Sequence, residues 1–154
     1  MVIYRIVKTE KRARDLSGTG SYMYGGRWNS KGTYMLYACD NSSLAFLENL
    51  VHQDESELPP QLYIVGIRLE ETVPVFTLPD SEYPNNWQKL ENIRNKLLGD
   101  EWMYQKKYLA FKVRSAINPT EYNYLLNPLF PGYHEVIKIE SLSPLEVDKR
   151  LVKR

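Results

Sequence analysis

Residues 33–53 read TYMLYACDNSSLAFLENLVHQ, and this stretch decides the fold class. Residues 33–38 carry the aromatic and aliphatic pattern of a strand. Asp40, Asn41, Ser42 and Ser43 then supply side chains that cap a helix N-terminus. The segment SSLAFLENLVHQ predicts that helix, with Leu44, Leu47 and Val51 as its apolar stripe at i, i+3 and i+7. At about 100° per residue, Glu48 falls on the edge of the same stripe. A carboxylate placed there points toward the body of the protein. Burying it is costly unless a positive or hydrogen-bonding partner meets it.

Working outward from this unit, VIYRIV (2–7) predicts a first strand. The following KTEKRARDLSGTGSYMYGGRWN (8–29) is rich in glycine and poor in aliphatics, and reads as a long loop. It holds Tyr22, Tyr24, Arg27 and Trp28, a content that disordered segments lack. It is therefore expected to be ordered, with glycines that let backbone approach something closely. On the C-terminal side, HQDESELPP (52–60) is a polar connection and QLYIVGIRL (61–69) a strand. VPVF (73–76) predicts a shorter strand. NNWQKLENIRNKLLGD (85–100) predicts a second helix. Asn85 and Gln88 would form its capping box, Trp87, Leu90, Ile93 and Leu97 its stripe, and Gly99 its stop. YLAFKV (108–113) is a strand, and residues 115–133 read as mostly turn and loop. EVIKIE (135–140) closes the sheet, and the tail packs through Leu145 and Val147. These elements predict an α+β fold. Its core is a twisted, mainly antiparallel sheet with flanking helices, formed by residues 1–154 as one domain.

Composition narrows the function classes. Twenty basic and 19 acidic residues leave a charge of +1, which argues against a dedicated nucleic-acid surface. No apolar run is long enough to span a membrane, and no secretory signal is visible at the N-terminus. The single cysteine, Cys39, excludes a disulfide scaffold and implies a reducing, cytoplasmic setting. His52 and His134 alone give no metal-site pattern, so no metal is expected. His52, late in its helix, is expected only to meet the C-terminal dipole. Tyrosine dominates the aromatics, with 12 against three tryptophans and four phenylalanines. Its flat ring and polar tip suit pocket walls and interfaces, as well as ordinary packing. Trp28 and Trp102 read as packing residues.

Four polar residues fall near predicted element ends: Arg27 in the glycine-rich segment, Tyr37 in a strand, Glu48 on the inner helix face and Ser115 after a strand. By spacing alone, Arg27 and Glu48 are more readily a structural ion pair than a catalytic one. Ser115 by itself is an ordinary turn-capping serine. No GxSxG elbow, phosphate-binding loop or HExxH is present.

GGRWN, TYMLYACDNSSLAFLENL, GDEWMYQKKYLAFKVRSAINPTEYNYLLNP and PLEVDKRL, in this order, resemble the RES-domain toxins of bacterial RES–Xre toxin–antitoxin systems. The resemblance covers essentially the whole chain. It implies a fold similar to ADP-ribosyltransferases and action on NAD as substrate, with no further cofactor. It implies that NAD is split between nicotinamide and ribose, or that ADP-ribose is transferred to a protein. It assigns Arg27, Glu48 and Ser115 to catalysis, and Arg27, Tyr37, Ser115 and Asn127 to binding NAD. Asn123 lies just before the NP element that contains Asn127. Two positions depart from the family pattern: Arg114, where proline is common, and Phe130, where histidine is expected. The implied partners are an Xre-type antitoxin and a possible second copy, with nucleic acid met only through the antitoxin.

Two other readings compete. The runs KRAR and DKRLVKR would suit a nucleic-acid-acting toxin such as a ribonuclease, although short basic runs are usually solvated faces. The tyrosines would suit a binding module without catalysis.

Overall fold

A computed structural model describes residues 1–51 and 59–151. Its centre is a seven-stranded sheet: β1 (Val2–Val7), β2 (Leu36–Cys39), β3 (Gln61–Leu69), β4 (Val75–Thr77), β5 (Ala110–Arg114), β6 (Tyr122–Leu126) and β7 (Ile137–Glu146). The strand order is β4-β5-β6-β2-β1-β3-β7. Every pairing is antiparallel except β4 with β5. The helices are α1 (Glu10–Arg14), α2 (Thr19–Tyr24), α3 (Ser42–Val51), α4 (Ile93–Gln105) and α5 (Tyr133–Val136). The fold is thus the α+β arrangement with a mainly antiparallel sheet.

Side-chain alternation divides the core between the two sheet faces. One face buries Ile3, Leu36, Ala38, Val65, Ile67, Tyr124 and Leu126, with Ala13 of α1 and Tyr133 of α5. The opposite face carries two separate clusters. Trp28, Trp102, Met103, Phe111, Val113 and Leu125 pack together around α4. Ile6, Cys39, Leu44, Ala45 and Leu62 pack around α3. The space between these two clusters positions the site described below.

Four local expectations are corrected. The segment 8–29 is not one long loop, because it folds the short helices α1 and α2. Thr9 caps α1 by accepting from the Arg12 N–H, a local bond that glycine content does not reveal. The second helix starts later and ends later than expected. Asn92 caps it through the Arg94 and Asn95 N–H groups, and it runs through Gly99 to Gln105. Leu90, Ile93 and Leu97 are exposed, so the expected stripe faces outward. Residues 115–133 contain β6, a strand inside the sheet whose apolar alternation is masked by neighbouring prolines and asparagines. In α3, Leu44 is buried as expected, but Leu47 and Val51 face outward. Its inner face is instead Leu44, Ala45 and Glu48. The expectation for His52 lies outside the described residues.

Candidate active site

A cavity of about 480 Å³ opens between the α3 and α4 clusters. Its floor is a row across three strands: Tyr4 of β1 pairs with Cys39 of β2, and Cys39 pairs with Asn123 of β6. One wall is a turn that carries Arg27. The other is α3, which presents Ala45, Glu48 and Asn49.

The Arg27 wall begins with a tight turn in which the Gly26 N–H donates to the Asn29 carbonyl at 3.0 Å. Gly25 takes a positive φ of 74°, which favours glycine. A Cβ on Gly26 would lie 2.6 Å from the Tyr37 hydroxyl, so that position tolerates only glycine without a shift. Asn29 is wholly buried and ties the turn down. Its Nδ2 donates to the carbonyls of Ser21, Ser30 and Thr33, and its Oδ1 accepts the Tyr37 hydroxyl at 2.6 Å. The Tyr37 hydroxyl in turn accepts the Trp28 N–H at 3.0 Å. Burial pushes this phenol above its ordinary pKa, which keeps it a neutral donor. Helix α4 secures the turn from behind. Lys96 Nζ donates to the Gly26 carbonyl at 2.6 Å, and Asp100 Oδ1 accepts the Ser30 N–H at 2.9 Å. Trp28 stacks on Trp102 with ring centroids 5.7 Å apart, as packing residues do. With Trp28 turned into the core, Arg27 is left to line the cavity. Its Nη1 donates to the Gln88 carbonyl at 2.7 Å.

The Glu48 wall is built from side chains. Asn41 Oδ1 accepts the Leu44 N–H at 2.8 Å and starts α3. One turn on, Glu48 Oε1 accepts two hydrogen bonds, from Ser115 Oγ at 2.8 Å and from Asn123 Nδ2 at 3.0 Å. Ser115 is fully buried. Its Oγ also accepts the Ile117 and Asn118 N–H groups, each at 3.1 Å. The inward carboxylate thus meets hydrogen-bond donors, which offset its desolvation.

The structure therefore brings Arg27, Tyr37 and Glu48 to one cavity. Arg27 and Glu48 form no ion pair among the described residues. Ser115 does not line the cavity; it stands behind Glu48 and holds it. Asn127 does not line it either. It is wholly buried, donates to the Met103 carbonyl at 3.1 Å and accepts the Leu129 N–H at 3.0 Å. Asn127, which the resemblance assigns to NAD binding, braces the turn that follows β6. Both of its amide ends are consumed by backbone. Arg114 pairs with Asp80 and donates to the Pro119 carbonyl, so it braces the strand end before Ser115. Phe130 packs against the core on the far face of the sheet. Sequence reasoning gives Asn123, Lys96 and Asn29 no role. For Asn123 a signal existed: read as a strand, residues 122–126 turn it away from the Tyr124–Leu126 core face. No group of three or more His, Cys, Asp or Glu among the described residues can hold a metal. No helix among them is long and apolar enough to cross a membrane.

Known proteins agree with this architecture. Residues 2–148 match the RES domain family. A protein named Toxin Res from Yersinia enterocolitica is 34% identical over 146 residues, covering 94% of each chain. Another Toxin Res, from Photorhabdus laumondii, is 32% identical over 99% of this chain and 98% of its own. The Prs ADP-ribosylating toxin of a Sphingobium species is 31% identical over 92% of this chain and 89% of its own. The crystal structure of the M. tuberculosis MbcT–MbcA toxin–antitoxin complex contains a chain of similar fold. Its TM-score is 0.70 at 17% identity, over 94% of this chain and 84% of that one. By sequence across nearly its whole length, this chain belongs to the RES-domain family.

Proposed function

We propose that this protein is the toxin of a toxin–antitoxin system and that it cleaves NAD at the nicotinamide–ribose bond. One observation carries the reading: a single cavity presents Arg27, Tyr37 and a Glu48 carboxylate held by two donors. The reaction asks for little more. Nicotinamide leaves as a neutral molecule from a cationic ring, through a transition state that resembles an oxocarbenium ion. In hydrolysis, water adds to the ribose carbon, and nicotinamide, ADP-ribose and one proton are released. Arg27 supplies a forked cation for the pyrophosphate, and Gly25 and Gly26 bring backbone close to the same anion. The Tyr37 ring offers an apolar face to nicotinamide or ribose. Glu48 accepts a hydrogen bond from a ribose hydroxyl and stabilises the positive charge that develops. NAD is the substrate in this reading.

An antitoxin that covers the cavity would silence such an enzyme. The resemblance to RES–Xre toxins suggests an Xre-type partner, and the neighbouring fold comes from a toxin–antitoxin complex. A second reading keeps the site and changes the acceptor, so that ADP-ribose passes to a protein. The name of the Sphingobium relative favours it. Product balance separates the two. Purified antitoxin-free protein is incubated with NAD, and nicotinamide and ADP-ribose are quantified. Equal amounts establish hydrolysis, and nicotinamide without ADP-ribose points to transfer. No release of nicotinamide, alone or with added cell extract as acceptor, contradicts both.

A further inference from the structure

Behind Glu48 lies a relay that the family assignment does not account for. Asn123 Nδ2 donates to Glu48 Oε1 at 3.0 Å, and the Cys39 thiol donates to Asn123 Oδ1 at 3.4 Å. Cys39 and Asn123 are directly paired across β2 and β6, so their side chains share the cavity floor. The cysteine matters because an amide has two ends. Rotated by half a turn, Asn123 would set its oxygen against the Glu48 carboxylate and its NH₂ against sulfur, a weak acceptor. The thiol opposes that rotation only while it keeps its proton. Burial, and next the charges of Glu48 and Asp40, push its pKa up to about 12, so it remains a donor at any physiological pH.

The bonding of Glu48 is also one-sided. Both donors fall on Oε1, and among the described residues none falls on Oε2. An oxygen that already accepts two hydrogen bonds has little capacity left for a third. We propose that Asn123, its amide orientation locked by Cys39, is a positioning residue that fixes Glu48 Oε1 and so makes Oε2 the oxygen offered to substrate. This rests on the proposed NAD-cleaving reading for its substrate, but not for its geometry.

Two measurements test it. The first is nicotinamide release by wild type, Asn123→Ala, Cys39→Ala and Cys39→Ser. Loss of a hydrogen bond to a charged group predicts a fall in kcat of about tenfold or more for Asn123→Ala. KM changes far less, because Glu48 is still present but mis-aimed. Cys39→Ala loses a smaller factor, and Cys39→Ser, which restores a donor, recovers most of it. Wild-type kcat in folded Asn123→Ala overturns the proposal. So does equal loss in Cys39→Ser and Cys39→Ala. The second measurement needs no turnover and no folded Asn123 variant. In ¹⁵N-labelled wild type, one proton of the Asn123 side-chain NH₂ pair resonates downfield of solvent-exposed amides, and it moves on Glu48→Gln. A pair at the exposed-amide position, or one indifferent to Glu48→Gln, overturns the positioning role even if wild type releases no nicotinamide. Absence of release together with a shifted, Glu48-sensitive pair contradicts the NAD reading alone.

Discussion

Arg27 and Glu48 stand on opposite walls of the cavity, but they are held by different means. Glu48 is fixed by side chains that converge from distant parts of the chain: Ser115 after β5 and Asn123 on β6. Arg27 is fixed through backbone. Lys96 holds the Gly26 carbonyl, Asp100 holds the Ser30 N–H, and Arg27 itself rests on the Gln88 carbonyl. The acid is therefore aimed by chemistry that a single substitution can remove. The cation is aimed by a turn whose shape depends on how closely α4 packs. A charge used for orientation needs the first kind of support, whereas one used for anion binding tolerates the second.

The largest effect is expected at Glu48. Glu48→Gln keeps the shape and the hydrogen-bonding oxygen but removes the charge. Losing one such electrostatic stabiliser predicts a fall of about 10²–10³ in the rate of nicotinamide release. Circular dichroism should show a folded protein; unfolding would instead make Glu48 a structural residue.

The Arg27 wall should break from behind. Gly99 lies inside α4, and a Cβ there would overlap the Trp28 carbonyl oxygen. Gly99→Ala must push α4 away from the turn, an overpacking change that costs about 1–3 kcal/mol. Urea unfolding measures it, and an unchanged midpoint would show that the turn is free to shift.

The Glu48 wall also carries a signature in pH. Folding holds the Cys39 thiol neutral by raising its pKa from an ordinary 9.0 to about 12. The unfolded chain ionises first. The contribution to stability is therefore complete below pH 9.0 and is lost as pH rises toward about 12. Urea midpoints across the alkaline range should fall more steeply in wild type than in Cys39→Ala. Parallel slopes would show that Cys39 is more accessible than its 6% exposure indicates.

The smallest effect is expected where a sequence-read stripe lies on the surface. Ile93 and Leu97 are 68% and 59% exposed. Replacing both with serine should change stability by about 0.5 kcal/mol or less at each site. A larger loss would mean that this face of α4 is covered in solution.

These cases also show what a sequence can reveal. The strands β1 and β3 were legible to the residue, because buried apolar runs between polar segments leave few alternatives. Glu48 was legible as an inward carboxylate even though Leu47 and Val51 were misplaced. An acid beside Leu44 and Ala45 has the same address whichever neighbours turn outward. β6 was not legible, since the five prolines and asparagines that flank it within residues 115–133 speak louder than YNYLL does. Gly99 read as a helix stop, because only the fold reveals that the Trp28 carbonyl occupies its missing side chain. Once β6 is read as a strand, alternation turns Asn123 away from the Tyr124–Leu126 face, but the backbone partners that occupy Asn127 leave no mark in the sequence.

In the proposed reaction Arg27 and Glu48 act on one bound NAD from opposite walls, the first to hold it and the second to turn it over. Calorimetric titration of NAD into Glu48→Gln, and into the same protein carrying Arg27→Ala as well, tests this most directly. Glu48→Gln is expected to bind NAD without consuming it. Adding Arg27→Ala then weakens binding by about tenfold or more, the loss expected for a charge-assisted hydrogen bond. Equal affinity in the two proteins, or undiminished nicotinamide release by Glu48→Gln, would contradict it.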